Sequence, residues 1–171
     1  MTNQYTIYSF KLIQTILQSR LCYHSLSFCV MMKKRGKTMC VFCKIANHEI
    51  PSKAVYEDDQ ILAFLDISPV TKGHTLIIPK QHFDNFSDCD SELVKHIHEV
   101  SKDLVKHYQS ILNPKGFNLL SNMNTAAGQS VFHVHFHLIP RYDENDGLVL
   151  LFNHDDSVQY TKEEINQLIL K

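Results

Sequence analysis

Ser130-Val131-Phe132-His133-Val134-His135-Phe136-His137-Leu138-Ile139-Pro140 is the stretch on which the reading of this chain turns. Taken as a strand from Val131 to Ile139, it sends His133, His135 and His137 to one face and Val134, Phe136 and Leu138 to the core, with successive imidazoles ~6.6 Å apart. A solvated strand face ordinarily carries Thr, Lys or Glu, so three histidines on one face point to chemistry. Two chemistries fit: three imidazoles binding a catalytic metal, or one acting as a nucleophile while its neighbours orient it and move protons. Just upstream, Asn122, Gly128, Gln129 and Ser130 offer the amide, hydroxyl and close-approaching backbone N–H groups that a phosphate oxyanion needs.

Working outward, Phe117 to Ser121 reads as a strand joined to the histidine strand by the loop Asn122 to Gln129. Ser91 to Leu112 carries Leu93, Val94, Ile97, Val100, Leu104, Val105, Tyr108 and Leu112 at three- and four-residue steps, which predicts one long helix closed by Pro114 and Gly116. Thr75 to Ile78 is β-branched and apolar, ends at Pro79, and is entered by a turn at Gly73. Ala54 to Tyr56 and Ile61 to Asp66 predict a hairpin around Glu57-Asp58-Asp59-Gln60. Val41 to Asn47 reads as a short helical turn stopped by Ile50-Pro51, and Lys162 to Leu170 as a terminal helix. One antiparallel sheet with a long helix and short helices gives an α+β domain.

Composition sets the outer bounds. The chain has 171 residues, 44% hydrophobic and 20% charged, enough for a single well-buried core. Its apolar runs reach about half a dozen residues, as between Gly147 and Asn153, against the ~20 of a membrane-spanning helix, so no membrane span is expected. The net charge of -1 conceals a division. Residues 1 to 38 hold Lys11, Arg20, Lys33, Lys34, Arg35 and Lys37 and no acid, whereas the body from Met39 holds the remaining 11 of the 17 bases and all 18 acids. An acidic body repels a phosphate backbone, which argues against a duplex nucleic-acid surface while leaving room for a small phosphate pocket.

The first 38 residues have a weakly amphipathic stretch from Tyr5 to Leu21 and a basic cluster, without the layout of a secretory signal. Two readings stand: an organellar targeting segment, and an over-extended start ahead of Met39. Either way this N-terminal extension is set apart from the fold, which is assigned to residues 39–171.

The run His-Val-His-Phe-His-Leu-Ile after Ala-Gly-Gln-Ser resembles the histidine triad, or HIT, family of nucleotide hydrolases and transferases. The likeness extends from Cys40 to Tyr142 through Ile50-Pro51, Tyr56-Glu57-Asp58, Ala63-Phe64-Leu65-Asp66-Ile67-Ser68-Pro69 and Gly73-His74-Thr75-Leu76-Ile77-Ile78-Pro79-Lys80. It implies a homodimer with a nucleotide site in each subunit. The middle histidine, His135, would attack the α-phosphate of a purine nucleotide substrate, and the nucleotidyl-histidine would then be hydrolysed. It further implies that His137 and the backbone around Ser130 hold the phosphate, with Asn122, Gly128 and Gln129 beside it. Asp66 would accept the ribose hydroxyls, Phe64 and Ile67 would wall the base, and His74 would sit next to the triad. The third histidine, where the uridylyltransferase branch has Gln, favours hydrolysis. The chain lacks the Trp-containing C-terminal tail of the eukaryotic phosphoramidase branch, which leaves the leaving group open.

Cys22, Cys29, Cys40, Cys43 and Cys89 are odd in number and form no secreted disulfide framework, which points to a reducing, cytoplasmic compartment. Cys40-x-x-Cys43 reads as a redox pair or as half a metal site. Bacterial members of the resembled family carry a structural Zn2+, which implies Cys40, Cys43, His82 and His133 as its ligands. Four protein ligands close a tetrahedron and leave no position for a reactive water. Two functions are thus expected: a hydrolase of nucleoside phosphoramidates, adenylates or dinucleoside polyphosphates, or a nucleotide-binding, zinc-stapled interaction protein whose catalysis is incidental.

Overall fold

The computed structural model describes residues 40–153 and 155–170; the readings made for residues 1–38 and for Met39 lie outside them. Five strands form one antiparallel sheet: β1 (Ala54–Glu57), β2 (Ile61–Leu65), β3 (Thr75–Pro79), β4 (Gly116–Leu120) and β5 (Phe136–Arg141), in the order β1-β2-β3-β5-β4. Among the described residues three α-helices accompany it: α1 (Val41–Ala46), α2 (Ser91–Leu112) and α3 (Lys162–Leu168). The expected α+β class is what the chain adopts.

Alternation along the central strands divides the interior into two layers. Ile61, Ala63, Ile77, Val134, Phe136 and Leu138 pack under α2 through its Leu93, Ile97, Val100, Leu104 and Tyr108. Leu62, Phe64, Leu76 and Ile78 point the other way and meet Phe42, Ile45 and Ala46 of α1. Helix α2 spans the residues its periodicity predicts. Asp90 caps it by accepting the Glu92 and Leu93 N–H groups, and Asn113 ends it in the left-handed region at φ 52°. Tyr108 and Thr75 share a buried hydroxyl hydrogen bond of 2.7 Å, tying α2 to β3.

The predicted hairpin forms, with Asp58 accepting the Gln60 and Ile61 N–H groups at its turn. Helix α3 stops at Leu168, two residues short of expectation, and opens with a capping box of Thr161 and Glu164.

The histidine segment departs from its prediction. Only Phe136 to Arg141 is strand, so His133 and His135 lie ahead of the ladder. Their backbone is bonded elsewhere: the His133 N–H turns back to the Val131 carbonyl at 2.9 Å, and the Val134 N–H donates to the Phe83 carbonyl at 2.8 Å. The Ser121 hydroxyl donates to the His135 carbonyl at 3.0 Å. The alternation of side chains nevertheless persists, with Val134, Phe136 and Leu138 in the α2 layer. His137 pairs with Leu76 of β3 and Leu120 of β4, in the row that Phe64 continues on β2.

Candidate functional site

The fold brings His74, His135 and His137 together on the α1 side of the sheet. The rings of His135 and His137 lie 5.0 Å apart and those of His74 and His137 5.2 Å apart. His74 and His135 are each 4% exposed, so both work in a partly dehydrated setting.

Each imidazole has at least one nitrogen engaged, and that engagement fixes its tautomer. His135 Nδ1 lies 2.7 Å from the His133 carbonyl, an oxygen that can only accept. The proton therefore sits on Nδ1, and Nε2 carries the lone pair. Burial pushes the His135 pKa below the usual imidazole range, against the opposing pull of that carbonyl bond, so the ring is neutral at neutral pH. On His74, Nδ1 faces the Val70 N–H at 3.3 Å and must accept from it. Nε2 of His74 then carries a proton, with His137 Nδ1 at 3.0 Å and Asp66 Oδ2 at 3.6 Å. His137 accepts at Nδ1 and keeps its own proton on Nε2. Burial first, then the neighbouring His135 and His74, push the His137 pKa down to about 4.

His133 turns away from this group. Its Nε2 donates to the Pro79 carbonyl at 2.8 Å, leaving Nδ1 bare. His82 does the same with Asp84, 2.9 Å from its Nε2. Both bare nitrogens converge on two sulfurs. Cys40 Sγ and Cys43 Sγ are 3.1 Å apart, the two Nδ1 atoms 3.2 Å apart, and the four S to N separations run from 3.2 to 3.5 Å. All six edges of a tetrahedron are thus nearly equal. With both imidazole nitrogens bare, at most the two thiol protons are available for six close contacts, whereas a cation at the centre, about 2 Å from each atom, satisfies all of them at once. The donor set fits a tetrahedral metal ion such as Zn2+. Desolvation and the neighbouring Cys40 push the Cys43 thiol up to about 12, the cost of placing two sulfurs together that a dication would offset. The His₃ metal arrangement is not built, because the Nδ1 of His133 serves the cysteines and that of His135 a backbone carbonyl.

Asp66 half-encloses the site. Its Oδ1 accepts the Ser68 N–H at 2.8 Å, which caps the following turn, while its Oδ2 faces His74. Ile67 beside it is 87% exposed, and Phe64 is buried edge-on against Phe42 at 5.8 Å. In the connection after β4, Gly128 sits at φ 88°, a conformation glycine adopts without strain, next to the side-chain amide of Asn122. Ser130 is exposed. Gln129 is buried and its side chain is spent on backbone groups: it accepts the Asn124 N–H at 2.7 Å and donates to the Asp84 and Val131 carbonyls at 2.6 and 3.1 Å. It shapes the loop.

Sequence reasoning missed several contributors. Phe42 sets its edge against both His133 and His135, at 6.0 and 5.2 Å, and so joins the cysteine cluster to the triad. The orienting groups of Pro79, His133 and Val70 are backbone atoms with no side-chain signature. Asp84 was findable, since a carboxylate two residues after a metal-binding histidine is a common orienting partner.

A neutral, oriented imidazole flanked by a second histidine pair, with a Cys₂His₂ tetrahedron on the far side of Phe42 and an α+β sheet beneath, defines a histidine-triad protein. Comparison with known proteins agrees: the HIT domain matches residues 47–144, and the chain belongs to the HIT family. Cys40 and Cys43 precede that span while His82 and His133 lie within it. The chain is 50% identical over 121 residues to an uncharacterised HIT-like protein of Methanocaldococcus jannaschii, covering 70% of this chain and 92% of that one. It is 42% identical over 111 residues to the adenosine 5'-monophosphoramidase of Saccharomyces cerevisiae, covering 65% and 68%. A crystal structure of a HIT family protein from Bacillus anthracis superposes with a TM-score of 0.69 at 46% identity, over 75% of this chain and 91% of that one. A Zn-bound histidine triad protein from Mycobacterium smegmatis does so with a TM-score of 0.60 at 37% identity, over 69% and 84%.

Proposed function

We propose that this protein is a nucleotide hydrolase that cleaves a P–N or P–O bond at a nucleoside α-phosphate through a nucleotidyl-histidine intermediate. Its substrates would be nucleoside phosphoramidates, adenylates or dinucleoside polyphosphates. The observation that carries the reading is the 2.7 Å bond from His135 Nδ1 to the His133 carbonyl, which leaves a neutral, buried Nε2 as the attacking atom. The similarity to a relative named adenosine 5'-monophosphoramidase supports the substrate class.

In the first step the His135 Nε2 lone pair forms an N–P bond as the bond from phosphorus to the leaving amine or oxygen breaks; the leaving group takes its proton from solvent, while the His137 Nε2–H is kept and donates a hydrogen bond to a phosphate oxygen. In the second, water attacks phosphorus, the N–P bond breaks and His135 is restored as a neutral ring, the water's proton returning to solvent. His74, between Asp66 and His137, keeps His137 in the tautomer that can donate. Asp66 is assigned to the ribose hydroxyls and Ile67, backed by Phe64, to the base. Asn122, Gly128 and Ser130 are assigned to the phosphate, on a loop held in shape by Gln129.

Cys40, Cys43, His82 and His133 would hold a structural Zn2+, supported by the near-regular tetrahedron and the Zn-bound relative. The ion, when bound, would supply a fixed anchor for α1. A homodimer is proposed on the edge strand β4, whose outer N–H and C=O groups a second copy can pair. The five cysteines, odd in number and without a secreted disulfide framework, support a reducing, cytoplasmic setting, and no described helix is long and apolar enough to cross a membrane.

Turnover of a fluorogenic adenosine phosphoramidate, set beside a dinucleoside polyphosphate on the same protein, tests the class. His135→Ala is expected to abolish turnover of both while nucleotide still binds. Steady-state hydrolysis by folded His135→Ala protein would overturn the covalent route.

A further inference from the structure

We propose that Cys40 and Cys43 are a site of reversible oxidation by hydroperoxides, at which a disulfide takes the place of the bound metal. The proposal rests on the metal reading above and adds a chemistry that a purely structural site does not need. Cys40 is the N-cap of α1 and Cys43 its third residue, so one turn of helix already holds the two sulfurs face to face. Their separation of 3.1 Å exceeds an S–S bond of ~2.05 Å by about 1 Å, a closure that side-chain rotation can supply without moving the helix. Both cysteines are partly exposed and open to a small oxidant. Cys89, the other described cysteine, packs in the separate layer under α2.

The reaction balances with a hydroperoxide as the oxidant. One thiolate attacks the peroxide oxygen, the O–O bond breaks, and hydroxide or alkoxide leaves, giving a sulfenic acid. The second thiolate attacks that sulfur, the S–O bond breaks, hydroxide leaves, and the disulfide forms. Two of four ligands are thereby consumed. His82 and His133 alone make too poor a site to retain the ion, which is released. A dithiol reductant reverses the exchange and regenerates the thiolates.

The test uses the full chain, loaded with zinc and titrated with hydrogen peroxide. Free zinc is followed with a chromogenic chelator, and trypsin digestion under alkylating conditions isolates residues 38–44, a single peptide that carries both cysteines. Zinc release in step with loss of two hydrogens from that peptide is expected, together with recovery of both on adding dithiothreitol and zinc. Cys89→Ser should respond as the unaltered chain does, and Cys43→Ser should form no disulfide in residues 38–44. Zinc retained while other cysteines oxidise, or a peptide that gains oxygen atoms without losing two hydrogens, would overturn the proposal. Metal content measured before the oxidant separates the two readings: protein isolated without an ion overturns the zinc assignment, and its peptide map still decides the disulfide.

Discussion

A histidine has two nitrogens, and at His74, His82, His133, His135 and His137 the surroundings decide which one is available. The residue types were legible in the sequence, because a strand face in contact with water seldom places histidine at every second position between apolar residues. The tautomers were not, because the groups that set them at His133, His135 and His74 are the Pro79 and His133 carbonyls and the Val70 N–H. The pH dependence follows from burial. Attack requires neutral His135, and burial lowers its pKa, so the competent form persists as pH drops through the ordinary histidine range near 6.5. The pH profile of kcat/KM is expected to stay level through that range and to fall only at more acidic pH. Stability moves in the same direction. Burial pushes His137 down to about 4 in the folded chain against an ordinary value near 6.5 in the unfolded one, so between those values the unfolded chain binds more protons. Stability is therefore fully present above about 6.5 and declines as pH falls toward 4, which urea unfolding at a series of pH values would show.

At the scale of elements, α2 could be read to its end residues because its apolar spacing and the closure at Pro114 and Gly116 agree. The start of β5 could not, because a strand is defined by its partners. The Val134 N–H finds its acceptor in Phe83, far back in the sequence, instead of in β3 or β4. That diversion frees the segment to turn His133 toward the cysteines while His137 stays in the sheet. The predicted loop Asn122 to Gln129 falls inside a longer connection, Ser121 to His135, and the side chain of Gln129 is used to hold its backbone. Gln129→Leu would deprive the Asn124 N–H of its acceptor, at a cost of about 1–3 kcal/mol. It is expected to lower the melting temperature by a few degrees and to raise KM more than it lowers kcat, since the loop proposed to hold the phosphate loses shape while His135 is untouched. Calorimetry and steady-state kinetics would check both.

For the whole molecule, two outcomes separate the anchoring of the domain from its chemistry. Purified protein is expected to contain about one equivalent of zinc, and chelation to lower the melting temperature, since binding at a closed four-ligand site is coupled to folding. Metal analysis with thermal melts in the presence of a chelator would decide it. Removal of residues 1 to 38 should leave turnover and melting temperature unchanged, because every group assigned to the site lies from Cys40 onward; kinetics of the shortened chain give the check.

The carbonyls that hold His133 and His135 carry a lesson for anyone transplanting this site into another protein. Side-chain substitution cannot remove them, so drift along the chain leaves the rings aimed. A designer who copies three histidines onto an ordinary strand would obtain rings free to exchange protons between their nitrogens. What has to be copied is the irregular path from Val131 to His135, where the main chain leaves the sheet and offers its oxygen to a side chain two residues on.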